Sequence, residues 1–529
     1  MKGRNPWLAA PIVTGLAAGL LSGCGTDSGS EAGTGGPVIM GMSDDVLSAD
    51  PASGYDPGSW LLFNNVFQPL LSFPKGSTTP EPEAAESCGF KGSSSKTYQC
   101  VLKDGLKFTN GNTMTSKDVK FSFERVLNIN DPDGPAVLLN TIDTIETPDE
   151  KTVVFHLKVP DATFPGKIAS GAGSIVDHRE YDFDKLRTDG KAVGSGVYKL
   201  DSFTDDRAAF SVNAGYKGTA GRVKNSGLTL KFFHGNQEEL VRGLKDGDVD
   251  FAYRGLAAKD IAELENSTAN ERDGLKVIEG TGAEVQHLVF NMAHPVVGKP
   301  GVRKAMAYLI NRDALIDEVY ESTATSLYSI VPSGITGHTT AFFDTYGGSP
   351  NRARAEAALR AEGITEKVRL TLWATPIRYG PGTVAEFEMI AQQLNESGLF
   401  DARVKSVELP EYEKGIAAGK YAVYVKGWVP DYPDPDNFTA PFFGEGNVLD
   451  NRYDAGEIVD TLIPAISAEA DRNATTRYFT EVQDKVAEDL PVLPLWQSKQ
   501  YAVAKNEISG LEWTLDISTI FRFWEISKG

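Results

Sequence analysis

The chain has 529 residues, with 52 Lys and Arg against 72 Asp and Glu, and a formal net charge of −20. Such a balance is wrong for nucleic acid, which is held by clustered basic side chains, and it avoids anionic lipid head groups. The length suits two or three lobes, and no internal repeat is present, which argues against a solenoid or propeller.

Lys2 and Arg4 open the chain, and Trp7 to Leu21 follow without a charge. At about 15 residues this stretch is shorter than the roughly 20 a membrane-crossing helix needs, and it fits the apolar core of a secretory signal. Next comes Leu21-Ser22-Gly23-Cys24, which resembles the lipobox of bacterial lipoproteins, cut before a cysteine that receives lipid; the alternative is a plain secretory signal. We therefore expect a signal over residues 1–23, lipid on Cys24 and a flexible Gly- and Ser-rich tether over 24–37. That leaves Cys88 and Cys100, and an even remainder in an exported chain reads as a disulfide, the alternative being two free thiols.

Further along, Val119, Phe123, Val126 and Leu127 share one face of a helix over Ser116–Asn128, with Thr115 or Ser116 as its cap. Thr152–Lys158 alternates Val153, Phe155 and Leu157 with more polar residues, the pattern of a half-buried strand. Asp246, Asp248 and Asp250 begin like a calcium loop, but Phe251 stands where such a loop needs Gly and Ala257 where it needs Glu. A solvated turn before a strand at Val249–Tyr253 is expected instead. Val302, Ala305, Met306, Leu309 and Ile310 make another helical stripe, and Asp313 is placed to cap a helix running to Tyr320. Val384, Phe387, Ala391 and Leu394 form a third stripe stopped by Gly398, and Phe479, Val482 and Val486 a fourth ending before Pro491. Strands and helices interleave, so the class is α/β.

Catalytic motifs are missing. There is no G-x-S-x-G, H-E-x-x-H or G-x-x-x-x-G-K-[ST], and the S-x-x-K of Ser93 and Lys96 sits alone in a Gly/Ser loop. The six histidines are scattered, with His287 and His294 too far apart for a zinc pair on one helical turn. No enzyme, metal or cofactor is expected.

The densest constellation is Gly427 to Phe438, GWVPDYPDPDNF, after the strand-like Tyr421–Lys426. Three prolines stiffen it, and three carboxylates lie among aromatic rings. A carboxylate fixed there suits an ammonium group, and the rings of Trp428 and Tyr432 suit the face of a solute. An acidic surface turn is the alternative.

This segment resembles the hallmark of the family-5 extracellular solute-binding proteins, the oligopeptide, dipeptide and nickel binders of ABC importers. Other pieces follow in the family's order: Leu47-Ser-Ala-Asp50-Pro51, Val66–Leu71, Tyr98–Arg125, Gly194–Tyr198, Gly247–Asp250, Phe290-Asn291 and Val302–Ala305. The resemblance implies a periplasmic-binding-protein-like fold of three discontinuous domains closing on a central cleft. Domain I would hold residues 38–73, 192–283 and 502–529, domain II 74–191 and domain III 284–501. It implies a monomer that passes a small solute, a short peptide, to permease subunits and their ATPases. Asp431 matches the family's anchor for a peptide ammonium, with Trp428 as a wall. The residue that takes the solute's carboxylate varies between members; Arg378, in the loop after the strand-like RLTLW, is the candidate here, the alternative being a surface arginine. Relatives that carry nickel chelates, opines or oligosaccharides, or that sense peptides or act as chaperones without transport, define the alternatives.

Overall fold

Two long antiparallel strands, Leu275–Phe290 and Val492–Lys505, form the spine of the molecule. They belong to a computed structural model that describes residues 35–267, 274–376 and 378–529. The expected signal, Cys24 and most of the tether lie outside the described residues. On one flank the spine pairs with Phe251–Tyr253, followed outward by Val38–Met42, Gly227–Phe232, Arg207–Val212 and Tyr198–Phe203. On the other it pairs with Val423–Trp428, then Val368–Ala374 and Phe400–Ser406. One mixed sheet thus runs through most of the fold.

The spine's register breaks between Thr281 and Val285 and again between Gln286 and His287. Glycine is needed on this stretch because the backbone is crowded. A Cβ on Gly280 would sit 2.1 Å from the Leu515 carbonyl oxygen, and one on Gly282 2.5 Å from that of Ser498. The irregular segment is also where the site lies.

A second, antiparallel sheet holds Ala85–Phe90, Thr97–Leu102, Thr152–Leu157 and Ile142–Glu146, in that order. Cys88 and Cys100 face each other across its first two strands and are joined as a disulfide. In Thr152–Leu157 the alternation is realised, with Val153, Phe155 and Leu157 buried. The helix Ser116–Ile129 buries Val119, Phe123 and Val126, and Phe123 meets Phe155 edge-on at 5.1 Å. Thr115 caps it, with the Asp118 carboxylate accepting the Thr115 N–H at 2.7 Å.

Three main groups of buried apolar residues result. One spans residues 283–517, one gathers residues 52–175 with Tyr432 and Ile520, and one draws on 38–67, 176–232, 251 and 502–526. Arg125 pins the Asp50-Pro51 segment by a two-pronged bond to Asp50 at 2.7 and 2.6 Å, both side chains being buried.

Two local expectations change. The helix after residue 310 runs Arg312–Glu318 and is capped by Asn311, whose side chain accepts the Ala314 N–H, so Asp313 falls inside its first turn. Asn is as good a cap as Asp, and it stands at the position where the backbone is still extended. Asp246 and Asp248 are solvated as expected, but Asp250 is buried. It accepts the Ile39 N–H at 2.9 Å and bonds Lys528 at 2.8 Å and Lys505 at 3.2 Å.

Candidate functional site

A cavity of about 330 Å³ opens over the irregular part of the spine. Gly282, Ala283 and Glu284 from one strand and Ser498 and Gln500 from the other line its floor. The wall from Gly427 to Asp431 continues the strand Val423–Trp428. Facing residues come from Tyr55 to Leu61, at the start of the helix Pro57–Val66, and from Tyr253 and Arg254. Tyr253 stacks on Phe521 at 4.4 Å, making a flat aromatic surface.

Asp431 is 7 % exposed. Its Oδ1 accepts the Tyr55 hydroxyl at 2.6 Å and its Oδ2 the Asn437 amide at 3.0 Å. Asn437 braces the whole turn, because its oxygen accepts both the Asp431 N–H and the Trp428 indole N–H at 2.9 Å. Among the described residues no Lys or Arg nitrogen lies within 4 Å of Asp431. Burial pushes its carboxyl up, and the bonds from Tyr55 and Asn437 only partly oppose this. The result is a desolvated, orientated carboxylate that lacks a cation.

Trp428 lines the cavity with its indole fixed by Asn437 and by an edge-on contact with Phe442 at 5.3 Å. Arg378 also lines it and is exposed. Tyr432 does not. Its ring is buried in the group of residues 52–175, where a Cβ on Gly166 would lie 3.2 Å away. The same turn that brings Asp431 to the cavity sets Tyr432 on its other side, against Gly166. The other two acids of the loop do structural work. Asp434 holds Arg472 at 2.7 and 2.9 Å, while Asp436 is buried, with its carboxyl raised to about 6 by burial and by Asp434.

Arg254 and Glu284 add charges that sequence reading did not single out. Arg254 follows the strand Phe251–Tyr253 in the left-handed region, φ +63°, and is paired with Asp44. A non-glycine residue there is strained, which is common at binding sites. Tyr55 was also missed, although it stands four residues after the Asp50-Pro51 pair.

Away from the cavity, oxygens of Asp118 and Asp177 and a nitrogen of His178 converge within 4.8 Å. Arg179, Asn110, Asn112 and His178 itself occupy those oxygens, so the cluster is an ion-pair hub.

The cavity thus combines aromatic faces, a sheet spine and a carboxylate that has no ion pair among the described residues. Residues 79–450 match the bacterial extracellular solute-binding proteins, family 5 (middle region). The chain belongs to that family. It is a binding protein and not an enzyme. A dipeptide-binding protein of Pseudomonas aeruginosa is 28 % identical over 543 residues, covering 96 % of this chain and 95 % of the relative. The periplasmic binding protein DppA of Helicobacter pylori, in complex with the peptide STSA, shares the family-5 fold with a TM-score of 0.75 and 21 % identity, over 93 % of this chain and 98 % of the other. NikZ of Campylobacter jejuni, in complex with Ni(L-His), does so with 0.73 and 17 %, over 93 % and 99 %. Among the described residues no helix is long and apolar enough to cross a membrane.

Proposed function

We propose that this chain captures short peptides outside the cytoplasm and delivers them to the permease and ATPase subunits of an ABC importer, held to the membrane by lipid on Cys24. The observation that carries the peptide reading is Asp431, a buried carboxylate on the cavity wall with two neutral donors and no cation. A peptide's α-ammonium supplies the missing charge. Trp428 and the Tyr253–Phe521 surface take apolar parts of the solute, and Arg378 takes its carboxylate. The resemblance to a dipeptide binder along almost the whole chain supports the same reading. In this reading the lobes containing Tyr55 and Asp431 close over the peptide, with the spine strands as the hinge.

Removing one member of a buried charge pair strands the other, at a cost of about 3–5 kcal/mol, roughly a thousandfold in affinity. Asp431→Asn should therefore weaken a dipeptide by that order in isothermal titration. N-acetylating the dipeptide should cost the wild type a similar factor and the variant much less, since both changes remove one contact. Additive losses would mean that the amine lies elsewhere.

A further inference from the structure

A zwitterionic dipeptide does not use all the charge in this cavity. Glu284 precedes Val285, which pairs with Trp428, so it enters the cavity beside the base of the Asp431 turn. It is half-buried, and among the described residues its carboxylate has no hydrogen bond or ion pair. Burial pushes it up, with Arg254 and Arg378 relieving it only at longer range. Arg254 is already engaged by Asp44. Across the cavity, Asp56 spends one oxygen on the Ser59 N–H at 2.8 Å as the cap of its helix and keeps the other buried without a partner. Among the described residues three lining carboxylates, Asp56, Glu284 and Asp431, thus lack an ion pair, and so does the lining guanidinium of Arg378. An ammonium on Asp431 and a carboxylate on Arg378 leave an excess of negative charge. Glu284 is the more available acid, because Asp56 already has an amide donor and the positive end of its helix.

We propose that Glu284 is a specificity-determining residue that selects solutes bearing a second cationic group, for a peptide a Lys or Arg side chain. The proposal rests on the peptide reading of the same cavity. The two arginines do not oppose it strongly, because Asp44 cancels the charge of Arg254 and the solute's own carboxylate draws on Arg378.

The test is isothermal titration of Ala-Ala, Lys-Ala, Ala-Lys and Ala-Glu against the wild type and Glu284→Gln. The better of Lys-Ala and Ala-Lys should bind the wild type roughly tenfold tighter than Ala-Ala, as one new charge-assisted bond predicts. Ala-Glu should bind more weakly than Ala-Ala. In Glu284→Gln the preference for the basic dipeptide should largely vanish, and an unchanged circular-dichroism spectrum and melting temperature show that the variant is folded. Equal wild-type affinity for basic and neutral dipeptides, or a preference that survives in Glu284→Gln, overturns the proposal and leaves the peptide reading standing. If none of the four binds, the peptide reading falls and this proposal with it.

Discussion

Glu386 is fully buried on the helix Thr383–Glu396, and among the described residues no Lys or Arg pairs with it. Its oxygens accept from the Trp496 indole at 2.9 Å and from the Gln286 amide, yet burial still lifts its carboxyl from the ordinary 4.5 to about 7. Below pH 4.5 the folded and unfolded chains both hold this proton, so the group is neutral to stability. Between the two values the folded chain binds more protons, so stability falls as pH rises, and above pH 7 the loss is complete at roughly 3 kcal/mol. Urea unfolding at pH 5 and pH 8 should show this fall in the wild type and less of it in Glu386→Gln; parallel profiles would refute the assignment. The same scale shows what a sequence gives away. The turn that sets Asp431 on the cavity wall was legible because prolines stiffen it. Its partner Tyr55 is 376 residues distant, beyond any local periodicity. Tyr432 misled because composition names the rings in a loop but not the side each one takes. Asp50 and Arg125 were legible as pattern, and only the fold shows them as one buried ion pair.

Helices and strands with a clear period formed where expected, since each needs only neighbours three, four or two residues away. Thr476–Asp489 buries its whole predicted stripe, while Ser116–Ile129 and Thr383–Glu396 bury theirs except for the half-buried Leu127 and Val384, and Gly398, at φ +76°, follows the last of these helices. The spine strands were not read in full, because their length and register breaks come from partners more than 200 residues apart. The hairpin closed by Cys88 and Cys100 is a separable element: none of the strands of its sheet lines the cavity. Reduction should lower stability by about 2–4 kcal/mol through the unfolded state's regained freedom. Calorimetry with and without reductant reads the first effect, and titration on the reduced protein should show unchanged peptide affinity. A large affinity loss would mean that this sheet supports the site.

For the whole molecule, the proposed anchor makes a clean prediction. Cys24→Ala should move the protein from membrane to soluble fractions without changing its affinity, and retention of the variant on salt-washed membranes would sink the lipid reading. The order of the core groups has a consequence in time. The group of residues 52–175 is almost self-contained, so it can pack once that stretch has been synthesised. The group that begins at Val38 needs residues 502–526, and Asp250 waits for Lys528. Contacts of such separation form slowly. Tyr253 and Phe521, which face each other across the cavity's aromatic surface, depend on that late step. The pocket's aromatic face therefore joins two stretches made far apart in time, and a chain cut before Phe521 would lack half of that face.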